Sequence, residues 1–239
     1  MRAITGSAAP GRWVWALSGL VTALALAVPG TRVIVAAWNT GQPPPQETVT
    51  RTLTVPQPVT SVLVQSFGGP VQLTGGSATR VLVTETISYD KLAGGPPPPL
   101  TRSVSGGHLT LAVPGCPADD CTVGFALTLP PGLAVTAVTD GGALTARNLD
   151  ATTVTVITDG GNAQIAFAAA PDSVTASTFG GLVELTVPGG PYALTIDTDG
   201  GPESVGIAAS PGAPRSITVS TGGGPLSIAE SGAGAGRPA

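Results

Sequence analysis

The 239-residue chain has 10 Lys and Arg residues against 14 Asp and Glu residues, and only 10% of its residues are charged. Three of the basic residues and none of the acidic ones precede residue 40, so the body of the protein is acidic. Nucleic-acid binding needs a cationic face that displaces counterions, so this balance predicts no nucleic-acid partner. Aromatic residues are 4% of the chain, while Val, Thr and Ile alternate along most of it, which favours a thin β-sheet core over a large globule.

The N-terminal region is apolar. An uncharged stretch begins at Trp13, is interrupted briefly, and ends at Trp38, and two arginines precede it. A positive flank before an apolar run is typical of an export signal, and tryptophans at both ends suit the two membrane interfaces. We therefore expect residues 1–40 to be an export signal and membrane anchor, with residues 13–38 in the lipid bilayer, the N-terminus inside and the body outside the cell membrane. The alternative is a signal peptide whose cleavage releases a secreted protein.

A Pro-rich linker at residues 41–47 separates this segment from the body. The chain has two cysteines, Cys116 and Cys121, which are five positions apart. An even number of cysteines in an exported chain predicts one disulfide that closes a small loop. A metal site would need more ligands nearby, and the single histidine, His108, lies outside the loop.

The body, residues 48–230, repeats a Thr-x-Gly-Gly motif, and residues 231–239 form a Gly/Ala-rich tail that we expect to be disordered. From the second copy onward the intervals are 19, 20, 20 and 23 residues. Apolar residues alternate on both sides of each motif, which predicts two half-buried strands joined at a glycine corner. Pro-Gly or Pro-Asp pairs mark a second corner in most repeats. The copies of the motif begin at Ser66, Thr139, Thr158, Thr178, Thr198 and Thr221.

Two architectures fit this repeat: a β-solenoid, in which each repeat is one rung, and an antiparallel β-meander or sandwich, in which each repeat is a hairpin. A threonine stands three positions before the motif Thr in five copies: Thr136, Thr155, Thr175, Thr195 and Thr218. Identical outward residues gain from one another when they stack in a ladder, and gain nothing when each strand pairs with an unlike strand. The sequence therefore favours an all-β fold, a β-solenoid with two-strand rungs of about 20 residues, behind one N-terminal transmembrane or signal helix.

These corners, repeated between Ser66 and Gly224, resemble those of the bacterial "putative adhesin" families of unknown function. The loop from Cys116 to Cys121, which leads into an alternating strand and a Pro-Pro-Gly turn, is similar to theirs as well. The resemblance covers residues 48–228. It implies a Gly-punctuated β-solenoid, often behind a single membrane segment, and it supplies no catalytic residues.

The corner aspartates are the candidate chemistry. Asp140 and Asp159 occupy the same repeat position, so stacking would bring their carboxylates close enough to hold a cation such as Ca²⁺. The alternative is that Asp suits the turn, because its side chain bonds local backbone amides. A sugar-active enzyme would draw on the acidic residues around Asp199, with Tyr192 as the nearest aromatic. A larger cluster of carboxylates and aromatics is needed for such catalysis, so we expect no enzyme activity and no cofactor.

Two functions remain on this sequence. The first is an interaction or adhesion module that meets a protein or a glycan at the cell surface. The second is a structural spacer or assembly component of the envelope, and a polysaccharide-active enzyme is a remote third.

Overall fold

The computed structural model describes residues 46–90, 97–115 and 121–232. The predicted export segment, most of the linker, Cys116 and residues 233–239 lie outside these ranges. Within them the chain forms strands, turns and loops, and no helix there is long and apolar enough to cross a membrane.

The described residues form sixteen strands, which belong to one hydrogen-bonded sheet. They are β1 (Gln46–Thr54), β2 (Ser61–Gly75), β3 (Leu82–Asp90), β4 (Thr101–Ser105), β5 (His108–Ala112), β6 (Thr122–Leu129), β7 (Leu133–Asp140), β8 (Leu144–Leu149), β9 (Ala151–Asp159), β10 (Ala163–Phe167), β11 (Ser173–Thr178), β12 (Val183–Val187), β13 (Ala193–Asp197), β14 (Glu203–Val205), β15 (Ser216–Ser220) and β16 (Leu226–Glu230).

This sheet folds into two parts, which we call the leading sheet and the trailing sheet by their position relative to the glycine corners. The leading sheet lies before the corners, in the order β4–β5–β2–β7–β9–β11–β15–β13, and the trailing sheet lies after them, in the order β1–β3–β6–β2–β8–β10–β12–β16–β14. The 15-residue β2 contributes its first part to the leading sheet and its last part to the trailing sheet. All neighbours are parallel except β1 with β3, β3 with β6 and β4 with β5. The predicted solenoid of two-strand rungs is therefore confirmed, and the antiparallel alternative does not describe the repeats.

The rungs do not stack in chain order. The β2 rung lies between β5–β6 and β7–β8, and the β15–β16 rung lies between β11–β12 and β13–β14. The predicted threonine ladder forms all the same, because each member is the register partner of the next across successive strands. Its order across the leading sheet is Thr136, Thr155, Thr175, Thr218 and Thr195.

The core consists of inward-facing aliphatic residues of both sheets. Along β11, for example, Val174 and Ala176 are buried while Ser173 and Thr175 between them are not, as the period-2 pattern predicts. Each fully buried aliphatic side chain of this kind contributes roughly 1.5–3 kcal/mol through loss of contact with water. Because the chain has few aromatics, the core is made mainly of Val, Leu, Ile and Ala.

The corners combine three local requirements, illustrated by the copy that begins at Thr158. The Thr158 hydroxyl is buried and donates a hydrogen bond of 2.5 Å to the Gly161 carbonyl. Gly160 has a φ of +75°, a conformation that costs an L-residue about 1 kcal/mol or more. Gly161 lies against Gly142 of the neighbouring rung, and a Cβ there would be 2.8 Å from the Gly142 carbonyl carbon. The motif is therefore set by turn geometry and by close stacking of rungs.

Antiparallel strands close one end of the solenoid. Glu85 points inward from β3 and is fully buried, and Arg102 on β4 donates from Nε and Nη2 to its two carboxylate oxygens at 2.5 Å each. This bidentate pair ties the two sheets together at the closed end. The hydrogen bond to Glu85 raises the pKa of Arg102 above its ordinary value. The Arg102 guanidinium is therefore charged throughout the physiological pH range.

Candidate functional site

The two aspartates predicted as a candidate cation site are neighbours. Asp140 and Asp159 are register partners at the ends of β7 and β9, and both are exposed. No group of three or more His, Cys, Asp or Glu side chains able to hold a metal ion occurs among the described residues. One corner shows the turn chemistry directly, because the Asp197 carboxylate accepts a hydrogen bond of 3.2 Å from the Asp199 backbone N–H.

Tyr192, the aromatic considered for a sugar site, is not on the surface. It is fully buried, and its hydroxyl donates a hydrogen bond of 3.0 Å to the Pro188 carbonyl. Burial raises the pKa of the Tyr192 phenol; Glu230 adds to this effect and Arg215 opposes it. A ring in this position cannot stack on a sugar, so the acidic residues near Asp199 have no aromatic partner in Tyr192. Sequence reasoning missed this because a Tyr between glycines and prolines carries no periodic signal of burial.

The cysteine prediction concerns a loop that the structure describes in part. Cys121 is buried and directly precedes the strand β6, whereas Cys116 lies outside the described residues. The disulfide therefore stays a prediction.

The single histidine lies beside a serine. Ser61 Oγ is 2.5 Å from His108 Nδ1, across the β2–β5 pair at the outer face of the leading sheet. Nucleophilic catalysis would also need a carboxylate to orient the imidazole. Among the described residues no hydrogen bond joins a carboxylate to the ring, and the Ser61–His108 contact is a cross-strand hydrogen bond between register partners.

The outer face of the trailing sheet carries a groove. Three open depressions, with volumes of about 170, 200 and 230 Å³, lie side by side across β3, β6, β2, β8, β10 and β12. Adjacent depressions share lining residues, namely Gln72 in one case and Thr145 with Arg147 in the other. We call the combined feature the trailing groove. Six strands at the usual spacing give it a length of about 24 Å along the solenoid axis.

A row of polar side chains follows the trailing groove. The row consists of four register partners, one on each of the strands β2, β8, β10 and β12: Gln72, Thr145, Gln164 and Glu184. A second row includes Arg147, which lies beside Gln164 and Glu184 in the lining of the same depression. Arg147 and Glu184 are the charged residues of the lining, one of each sign, so the groove as a whole is neutral.

The backbone under the trailing groove is already paired. Strands β2, β8, β10 and β12 each have hydrogen-bonded neighbours on both sides. A molecule lying across this face can therefore be recognised through side-chain amides, hydroxyls and charges, and not by adding a strand to the sheet. Sequence reasoning did not single out this row. The available signal was that the sixth residue after each motif Thr is polar in every copy, including Gln72, Gln164 and Glu184.

No protein-family model and no curated protein matches the sequence. Solved structures do match. A putative cell adhesion protein from Clostridium sporogenes superposes with a TM-score of 0.57 at 13% identity, over 77% of this chain and 100% of that one. A putative adhesin from Bacteroides fragilis gives a TM-score of 0.38 at 14% identity, over 80% and 100%, and one from Parabacteroides distasonis gives 0.26 at 13%, over 76% and 97%.

The similarity to the Clostridium sporogenes protein is a similarity of fold, because the two sequences are only 13% identical. The TM-scores of the other two are too low to carry an argument. The Clostridium sporogenes protein thus shares with this chain the all-β, solenoid-like architecture.

Proposed function

We propose that this protein is an adhesion-like binding module of the cell envelope, carried outside the membrane by its N-terminal segment, and that it holds a linear neutral glycan along the trailing groove. The observation that carries the proposal is the row of polar side chains on four adjacent strands, β2, β8, β10 and β12, which spans about 14 Å of a groove about 24 Å long. The fold shared with a protein described as a cell adhesion protein supports the adhesion role in a general way.

The chemistry of the groove favours a glycan over a peptide. An extended peptide usually gains its affinity from main-chain hydrogen bonds to an open sheet edge, and the strands under the groove have no open edge. Sugar hydroxyls both donate and accept, as do the amides of Gln72 and Gln164 and the hydroxyl of Thr145. A chain of sugars along the axis would meet one such side chain on each of the strands β2, β8 and β10.

The charges of the groove favour a neutral ligand. Arg147 and Glu184 lie two strands apart, about 10 Å by the usual strand spacing, and neither has an ion-pair partner among the described residues. A polyanion lying along the groove would be attracted by Arg147 and repelled by Glu184 two strands further on. Glu184 is also a lone carboxylate in the lining, whereas glycoside hydrolysis uses a pair, so the proposed role is binding without turnover.

Affinity electrophoresis of the full-length protein in detergent tests the proposal. The gels contain a neutral polysaccharide (dextran, mixed-linkage β-glucan or galactomannan) or the anionic polysaccharide alginate. We expect a neutral polysaccharide to retard the protein, and the double variant Gln72→Ala/Gln164→Ala to bind on the order of 10-fold more weakly, because it lacks two hydrogen-bonding groups.

Gln65 supplies the matched control, because it is an exposed Gln on the outer face of the leading sheet. The Gln65→Ala variant should be retarded like the wild type. The proposal is wrong if no neutral polysaccharide retards the wild type, or if the groove variant and the control variant bind equally well. Recovery of the protein in intact envelopes with no bound polysaccharide would favour the spacer role.

A further inference from the structure

The end of the solenoid opposite Arg102 is open. The terminal strands β13 and β14 each pair with one neighbour, β15 and β16 respectively. Their inward residues are only partly buried, as Leu194 and Ile196 on β13 show. The equivalent residues of an interior strand, Val174 and Ala176 on β11, are at most 1% exposed. The core is thus exposed in part where the stack stops.

The backbone of β13 has hydrogen-bonding groups that face outward. Ala193 donates its N–H to the Arg215 carbonyl at 2.8 Å, and the Asp197 carbonyl accepts from the Thr221 N–H at 3.0 Å, so both residues point toward β15. Because alternate residues of a strand point to opposite sides, the N–H and C=O groups of Leu194 and Ile196 point toward the open edge.

A short segment limits this edge at its N-terminal end. The Tyr192 carbonyl, which also faces outward, accepts a hydrogen bond of 2.8 Å from the Ser210 N–H, and Tyr192 forms an isolated bridge with Ala209. The open edge therefore consists of the five residues of β13. An edge of that length with partly exposed aliphatic side chains is a template for pairing with another strand.

We propose that this edge pairs with the same edge of a second copy of the chain, with the two β13 strands antiparallel about a two-fold axis at Thr195. In that register Leu194 of one copy is opposite Ile196 of the other, and the outward groups of the two residues form a hydrogen-bonded pair. The symmetry repeats this pair on the other side of the axis, which gives four main-chain hydrogen bonds. Apolar side chains then face apolar side chains across the interface, and Thr195 faces its own counterpart.

The distribution of charge supports a second copy in this orientation. Asp197 and Asp199 lie at the C-terminal end of β13, whereas Arg215 lies at the N-terminal end, next to Ala193. Antiparallel pairing places Asp197 of one copy opposite Ala193 of the other, near the other copy's Arg215, and it keeps the two acidic ends apart. The edge strands at the other end, β1 and β4, run antiparallel to their neighbours and take no part in this pairing, which uses the β13 edge once in each copy. The result is a closed dimer and not a filament.

Disulfide trapping of the full-length protein tests the dimer. Opposed residues at a non-hydrogen-bonded antiparallel site have Cα atoms about 4.5 Å apart, within the range for a disulfide, so the Thr195→Cys variant should form a crosslinked dimer on oxidation. Thr218, exposed in the same ladder on the next strand, gives the matched control. Its Cα would be about 14 Å from its counterpart, so the Thr218→Cys variant should not crosslink. Peptide mass spectrometry places the crosslink at the introduced cysteine.

Sedimentation of the wild type and of an Ile196→Lys variant completes the test. We expect a dimer for the wild type and a monomer for the variant, because the lysines would face the partner's Leu194 at the interface. The variant changes an edge residue and should keep the melting temperature of the monomeric body. The proposal is overturned if the two cysteine variants crosslink equally. It is also overturned if the wild type is a monomer at about 100 μM, because a dissociation constant of that size corresponds to a dimerisation free energy of only roughly 5 kcal/mol.

Discussion

Replacing Gly161 by alanine should damage the solenoid far more than replacing its neighbour Gly160. Gly160 has a φ of +75° but an open surrounding, since the nearest atom to an added Cβ is 4.0 Å away. Gly160→Ala therefore costs the left-handed conformation alone, about 1 kcal/mol. An added Cβ at Gly161 would instead overlap the carbonyl group of Gly142, with the carbonyl carbon at 2.8 Å.

The overlap at Gly161 has to be relieved by moving two rungs apart by about 1 Å, because carbon atoms in ordinary contact are about 3.5–4.0 Å apart. The hydrogen bond from Leu144 N–H to the Asn162 carbonyl, 2.8 Å long, crosses the same gap and would be stretched beyond a useful length. Loss of this bond and its neighbours, together with poorer packing, should cost about 3 kcal/mol or more. That is a large part of the 5–15 kcal/mol typical of a folded domain.

Urea denaturation of both variants beside the wild type measures the difference in the free energy of unfolding. We expect the Gly161→Ala midpoint to fall well below the Gly160→Ala midpoint. If the two variants lose equal stability, the close stacking of second glycines from rung to rung is not a feature of the protein, and the parallel register would have to be abandoned.

Two further predictions concern the rung order and the closed end. Cysteines introduced together at Thr175 and Thr218, which are register partners, should form a disulfide on oxidation. Cysteines at Thr175 and Thr195, which are two strands apart, should not. The reverse result would show that the rungs stack in chain order. Arg102→Leu should lower the free energy of unfolding by about 3–5 kcal/mol, because it leaves the buried carboxylate of Glu85 without its partner. The double variant Arg102→Leu/Glu85→Leu should recover most of this loss. Calorimetry that finds no recovery would contradict the buried pair.

Much of the fold could be predicted because it is local and periodic. The alternation of apolar residues identifies strands, and the glycines identify corners. The threonine found three positions before the motif in five of its six copies predicts stacked parallel rungs, and the structure places Thr155 beside Thr175 in that register.

The order of the last two rungs could not be predicted in the same way. Equivalent residues such as Thr195 and Thr218 look alike in every copy, so either could stack on Thr175. The chain skips one rung position between β12 and β13, and the β15–β16 rung then fills that position. The longer interval of 23 residues before Thr221 contains the connection from β14 to β15, by which the chain returns to that position.

The candidate site was harder to predict than the fold. The sequence points to the corner aspartates, which have the residue type of a cation site but too few ligating neighbours for one among the described residues. The groove residues are ordinary outward positions of strands, and a single Gln72 or Gln164 carries no functional signal alone. They become a site only when the register brings them into one row, which depends on long-range pairing.

The central functional claim is that the trailing groove binds a linear neutral glycan, and side-chain amide resonances test it most directly. Isotope-labelled full-length protein is titrated with the neutral polysaccharide that retards it most in electrophoresis. We expect the side-chain amide signals of Gln72 and Gln164 to shift until they saturate, while the signal of Gln65 on the leading sheet stays in place. Shifts at Gln65 without shifts at Gln72 and Gln164 would contradict the claim.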